Sequence, residues 1–286
     1  MPVPRNVYLF LIIGLISASQ SANIVRLGEA HPIAIATWRL GIAALFMIPL
    51  AGRRLVLLKN LSKADFMLLV MSGLVLAAHF FSFIGAVQRT TVANATIFFA
   101  MNPVITAMAA YLLFKERLSV NLFLAITLGL AGAVFIGGND LSLKPENLAG
   151  DGLAVLSTFF FSVYLLVGKK LRQTLPNMVY VSAVYSVAAV FGFACLAFFG
   201  LPVFRYNEIT WVCFLLMALV PTVLGHSSLN HAIRYIGAGR ISTATLSEPL
   251  LAGIVAFFAW GEAITWAVFI GYLLICASVL ALMRDL

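Results

Sequence analysis

The sequence predicts an all-α membrane protein: ten transmembrane helices in two inverted five-helix repeats. Three observations predict it: the composition, the number of long apolar runs, and a match between the two halves. Of 286 residues, 63% are hydrophobic and only 10% charged, and mean hydropathy is +1.06. A soluble domain carries about 25% charged and about 45–50% apolar residues. A soluble fold would have nowhere to put this much apolar surface, which excludes an ordinary soluble enzyme, a disordered chain and a nucleic-acid-binding domain.

A helix that crosses the hydrocarbon core needs about 20 mostly apolar residues. Ten such runs are present, at roughly 6–25, 31–51, 65–87, 91–114, 119–138, 148–168, 177–200, 208–233, 238–260 and 264–283. The runs are continuously apolar, without the alternation of a barrel strand, so a β-barrel is excluded. The first run is preceded by Arg5 and contains the small, polar stretch Ser17 to Ala22, as a cleavable leader would. Apolar character resumes at Ile24 and Val25, so it reads as a retained helix with a polar stripe. Cys195, Cys213 and Cys276 each sit inside an apolar run, without metal-ligand spacing, and read as small buried hydrophobes.

The gaps hold the charges. With the first end of the chain on the cytoplasmic side, 13 of the 18 Lys and Arg fall inside, four outside (Arg26, Arg89, Lys144, Arg205), and Arg39 lies within a span. This bias predicts cytoplasmic N- and C-termini in the cell (inner or plasma) membrane. It also accounts for the formal charge of +8 without nucleic acid as a partner.

The halves match without a gap at an offset set by Pro103 and Pro249: Ser82 then aligns with Ser228, Ala110 with Ala256, Glu116 with Glu262 and Phe123 with Phe269. Residues 1–140 and 141–286 thus read as two five-helix repeats that form one membrane domain. Five is odd, so the second repeat is inverted. Inverted repeats with a site between them near the midplane are the architecture of many secondary transporters.

The chain resembles the EamA-type family of the drug/metabolite transporter superfamily over essentially its whole length. The residues that carry the resemblance are Ala36-Thr37-Trp38-Arg39-Leu40, Ala93-Asn94-Ala95 leading to Asn102-Pro103, Lys115-Glu116-Arg117, and Ser247-Glu248-Pro249 followed by Gly261-Glu262. The resemblance implies ten helices in two inverted repeats and export of amino acids or other small metabolites. The family often has Glu-Pro in the fourth helix as well; here that position is Asn102.

An ionisable residue at membrane depth costs about 2.5–3.5 kcal/mol on insertion scales. Three lie near span centres. Glu248 precedes Pro249, which frees the carbonyl of Thr245. It reads as a protonatable site, as an anchor for a substrate ammonium, or as a structural carboxylate paired with an arginine. Arg39 reads as a fork for a substrate carboxylate or as the buried partner of Glu248. His79 shares a helical face with Ser72 and Ser82 and reads as a cavity-lining residue or a satisfied core histidine. Polar stripes supply further cavity candidates: Ser17 and Gln20 with Ser21; Asn94, Met101 and Asn102; Ser157 and Tyr164; and His226 with Thr222 and Asn230. The same groups could instead hydrogen-bond between helices, for about 0.6 kcal/mol each. Phe98, Phe99 and Phe159 to Phe161 are candidate pocket walls.

The function expected is a secondary transporter for a small-molecule substrate, with apolar or aromatic amino acids favoured, working by alternating access around a central cavity. The alternative is an exporter of another metabolite or drug by proton antiport. No HExxH, GxSxG, Walker or paired-aspartate signature supports an enzyme or ATP-driven pump, and no ring of like charge supports a channel. No cofactor or metal site is implied, the bilayer is the one obligatory partner, and no oligomer is required.

Overall fold

The computed structural model describes residues 3–90, 92–138, 147–261 and 263–284, without the side chains of 92–94 and 96. The side chain of Asn94, together with Asp140, Lys144, Glu146 and Glu262, therefore lies outside the described residues. Every described element is a helix, and ten helical segments are long and apolar enough to cross a membrane. They are α1 (Arg5–Val25), α2 (Pro32–Asn60), α3 (Lys63–Val87), α4 (Ile97–Phe114, preceded by the turns of Val92–Phe99), α5 (Val120–Gly137), α6 (Leu148–Leu171), α7 (Asn177–Phe198), α8 (Glu208–Ile236), α9 (Ala238–Trp260) and α10 (Trp266–Met283).

Local chemistry sets the ends. Ser62, Ser119, Asn207 and Thr265 each accept a backbone N–H of the first turn of α3, α5, α8 and α10, caps worth about 1 kcal/mol apiece. α2 starts with Pro32, whose missing N–H is no loss at that position. Several helices are interrupted. α1 breaks at Gln20, α4 at Ala100–Met101, and α9 passes through a 3-10 turn at Thr245–Ser247 immediately before Glu248-Pro249. α8 carries a π-helical stretch over Ala218–His226 that contains Pro221. Pro221 has no N–H to give, and the Met217 carbonyl instead accepts the hydroxyl of Thr222 at 2.8 Å.

The two halves repeat in their helix boundaries. The pieces Asn102–Phe114 and Glu248–Trp260 are 13 residues each, and α5 and α10 are 18 each. Lys115 and Gly261 end the 13-residue pieces in the left-handed region, at φ 56° and 69°. Each second-half position follows its counterpart at the spacing of Pro103 and Pro249.

Short links make successive helices antiparallel. α1, α3, α5, α7 and α9 begin at one end of the bundle, here the near end, and the even helices end there. Large apolar side chains such as Leu45, Phe123, Phe258 and Trp266 cover the outside. Inside, Leu40, Met47, Leu76, Val184 and Phe214 are fully buried. Small residues allow close approach: α5 meets α10 where a Cβ on Gly132 would lie 2.9 Å from the carbonyl oxygen of Gly271. Ser278 of α10 donates to the Ala125 carbonyl at 2.6 Å, so α5 packs against α10 within the chain.

Candidate functional site

One cavity opens in the middle of the bundle, about 100 Å3 of space open to the centre of a water molecule. That is room for several waters or a small solute. Its wall includes Ser21 and Ala22 of α1, Arg39 of α2, His79 and Phe80 of α3, Pro103 of α4, Phe161 of α6, His226 of α8, and Glu248 and Pro249 of α9. Glu248 is ten residues from the near-end start of α9, about 15 Å at 1.5 Å per residue, or half the roughly 30 Å thickness of a hydrocarbon core. Arg39 is seven residues from the far-end start of α2, about 10 Å.

Arg39 is 1% exposed. Its Nε donates to Thr222 Oγ1 at 2.6 Å and its Nη1 to Ser21 Oγ at 3.0 Å. The Pro221 break makes this possible. The Thr222 hydroxyl spends its hydrogen on the Met217 carbonyl, which leaves its lone pairs for the guanidinium. The guanidinium carbon lies 3.7 Å from the centre of the Phe80 ring, a cation–π contact worth about 2 kcal/mol when dry. Nη2 has no hydrogen-bond partner among the described residues. A buried donor left unpaired asks for a reason.

Glu248 faces the same cavity, half-buried, at the first turn of the second piece of α9. Among the described residues its carboxylate has no hydrogen bond, and no N···O contact within 4.0 Å joins it to Arg39. The guanidinium and the carboxyl share a cavity without a direct contact, and Arg39 is held by hydroxyls and a ring instead.

The imidazoles complete the wall. His79 Nδ1 lies 2.9 Å from Ser157 Oγ and 3.1 Å from the Ser157 carbonyl. Its ring centre is 4.9 Å from those of Phe80 and Phe161 and 5.7 Å from Phe99. His226 stands 6.5 Å from His79 and edge-on to Phe80 at 5.2 Å. Behind it, Tyr164 accepts a hydrogen bond from Asn230 Nδ2.

Of the residues expected from sequence, the fold gathers Arg39, His79, His226 and Glu248 on one cavity, with Ser157 and Tyr164 in contact behind them. It places others elsewhere. Ser17 is buried in α1 away from the wall. Gln20 sits at the α1 break, where its Oε1 accepts from Asn23 Nδ2, which also donates to the Ala252 carbonyl at 3.0 Å and ties α1 to α9. Asn102 donates to Ser162 Oγ at 2.8 Å in the seam between α4 and α6. Met101 is 48% exposed on the outside. Neighbours on a helix point about 100° apart, and Ala100 and Pro103 take the cavity side. Of the aromatic wall residues, Phe80 and Phe83 were missed. Phe83 lies one turn beyond His79 and could have been read from that spacing; Phe80, adjacent to His79, has no periodic signal.

The sequence pattern of the EamA-like transporter family matches twice, at residues 5–138 and 148–284. An uncharacterized transporter of Archaeoglobus fulgidus is 28% identical over 71% of this chain and 72% of its own. The uncharacterized transporter YyaM of Bacillus subtilis is 23% identical over 96% of this chain and 92% of its own. A crystal structure at 17% identity superposes with a TM-score of 0.86 over 99% of this chain and 98% of the other, which shows a shared fold.

Proposed function

The chain belongs to the EamA-like transporter family, and from that premise we propose that it exports amino acids, apolar and aromatic ones foremost, by alternating access around the central cavity. One observation carries the substrate class. Among the described residues, a guanidinium with an unpartnered Nη2 and a carboxylate without a hydrogen bond line one cavity with no direct ion pair between them. Each is costly at membrane depth when left alone. An amino-acid zwitterion brings a carboxylate for Arg39 and an ammonium for Glu248, and its side chain meets Phe80, Phe99 and Phe161. The matching helix boundaries of the two halves support an exchange of roles between them, with Pro103, Pro249 and Pro221 as flexing points. The distribution of Lys and Arg supports cytoplasmic termini, in the cell membrane.

Equilibrium binding to the purified protein tests this reading. Leucine or phenylalanine should bind more tightly than both the corresponding amide, which lacks the carboxylate, and the deaminated acid, which lacks the ammonium. Equal binding of all three, or binding of none by folded protein, overturns the amino-acid assignment. The unpartnered Glu248 also favours a second reading, proton-coupled export of another metabolite. That reading requires flux to depend on a pH difference across the membrane.

A further inference from the structure

Below the cavity, at the near end of the bundle, one side chain ties several helices together. Glu116 follows α4 and is 18% exposed. Its Oε1 accepts the backbone N–H of Ala238 at 3.1 Å and its Oε2 that of Gly239 at 3.3 Å. These are the first two residues of α9. The Lys169 ammonium of α6 lies 3.7 Å from Oε1 and also donates to the Ile233 carbonyl of α8. One carboxylate thus gathers α4, α6, α8 and α9. The chain is cut to fit it. Gly237 has φ 104°, and a Cβ there would come within 2.8 Å of Glu116 Oε2. A Cβ on Gly239 would lie 3.2 Å from Cα of Ala107 in α4. The residue that turns the chain toward this contact is Lys115, in the left-handed region at φ 56°.

We propose that Glu116 is the near-end latch of the transport cycle: a positioning residue that holds α4 against the start of α9, and must release Ala238 and Gly239 before the cavity can open to that side. The inference rests on the reading of the protein as a transporter. Carboxylate-to-backbone bonds are charge-assisted and about twice as strong as neutral ones. They can therefore hold a bistable element closed, and they leave nothing covalent to undo. The cavity lies on the far side of the latch, and fully buried Ser242 of α9 lies between the two in sequence.

The test reads access from each face separately. In a background without Cys195, Cys213 and Cys276, Ser242→Cys reports the near side, and Ala22→Cys, on the cavity wall, reports the far side. Each is labelled in vesicles of known orientation by a membrane-impermeant maleimide. With Glu116→Ala, near-side labelling of Ser242→Cys should rise by about tenfold or more, while far-side labelling of Ala22→Cys falls. A fold that is merely loosened raises both, and overturns the proposal, as do unchanged rates. Should Glu116→Ala not fold, Glu116→Gln, which keeps one acceptor oxygen, should give a smaller change of the same sign; no change there also overturns it. The labelling needs no substrate. A shifted balance of access without flux of any solute leaves the latch standing and removes the transport reading, and flux with unshifted access does the reverse.

Discussion

Replacing Arg39 by glutamine gives the sharpest view of the cavity, because the structure fixes how much the guanidinium has left to offer. Nε and Nη1 are committed to Thr222 and Ser21, and one face lies on Phe80. Among the described residues Nη2 has no partner. A substrate carboxylate that takes up Nη2 gains at least one charge-assisted bond, and one such bond is worth about 1.5–3 kcal/mol. At about 1.4 kcal/mol per tenfold, the protein should prefer leucine over leucinamide by roughly tenfold to 150-fold, and Arg39→Gln should bring the two close to equal. The assay is equilibrium binding of both ligands to detergent-purified protein, so that a general loss of affinity cancels in the ratio. Thr222→Val is the companion. It keeps the charge but frees Nε and the Met217 carbonyl, so it should lower stability by about 1–3 kcal/mol per orphaned group and retain a preference for the acid. An acid-to-amide ratio unchanged in folded Arg39→Gln would refute the assignment.

Glu248→Gln should leave the yield of monodisperse protein near wild type, since Arg39 does not lean on that carboxylate, while transport falls sharply; a collapse in yield would return the residue to a structural role. Gly271→Ala should destabilise by about 1–3 kcal/mol through overpacking, because its Cβ would sit 2.8 Å from the carbonyl oxygen of Gly132, which is backbone and cannot rotate away. Thermal unfolding in detergent checks this, and an unchanged midpoint counts against the close α5–α10 contact. His31, before α2, accepts the Ile33 N–H at 3.3 Å through Nδ1. Burial, and secondly the Arg89 guanidinium, hold its imidazole below the usual histidine range. The folded pKa lies below the unfolded value of about 6.5, so the cap is fully present above that value and is lost as pH falls through the folded one. Hydrogen exchange at Ile33 should accelerate on acidification relative to the chemical rate, and His31→Asn should remove that acceleration.

The ten spans were legible because bilayer thickness makes one demand, a long apolar run, that hydropathy reads directly. The errors lie at charged ends. The sixth run was read to 168, whereas α6 continues to Leu171 with Lys169 and Lys170 in its last turn, where cations suit the helix dipole. α2 continues as a 3-10 helix over Gly52–Asn60, past the apolar stretch. The break at Glu248-Pro249 was readable from proline chemistry, and the 3-10 turn at Thr245–Ser247 falls where the freed carbonyl was expected. The environment of Arg39 was not readable. Its charge alone called for a partner, and Glu248 was the obvious candidate. The actual partners are two hydroxyls from α1 and α8 and a ring from α3, brought together by tertiary packing and by the π-helical stretch around Pro221. Met101 and Asn102 were assigned by a stripe that assumes an unbroken helix, and α4 is interrupted at Ala100–Met101.

Uptake of labelled amino acids by proteoliposomes, with equal pH on both sides, tests the central claim most directly. The account predicts saturable flux of apolar and aromatic amino acids, competed by each other and not by their amides, and abolished in Glu248→Gln. Absence of flux for every amino acid, from protein shown to be folded and reconstituted, would contradict it.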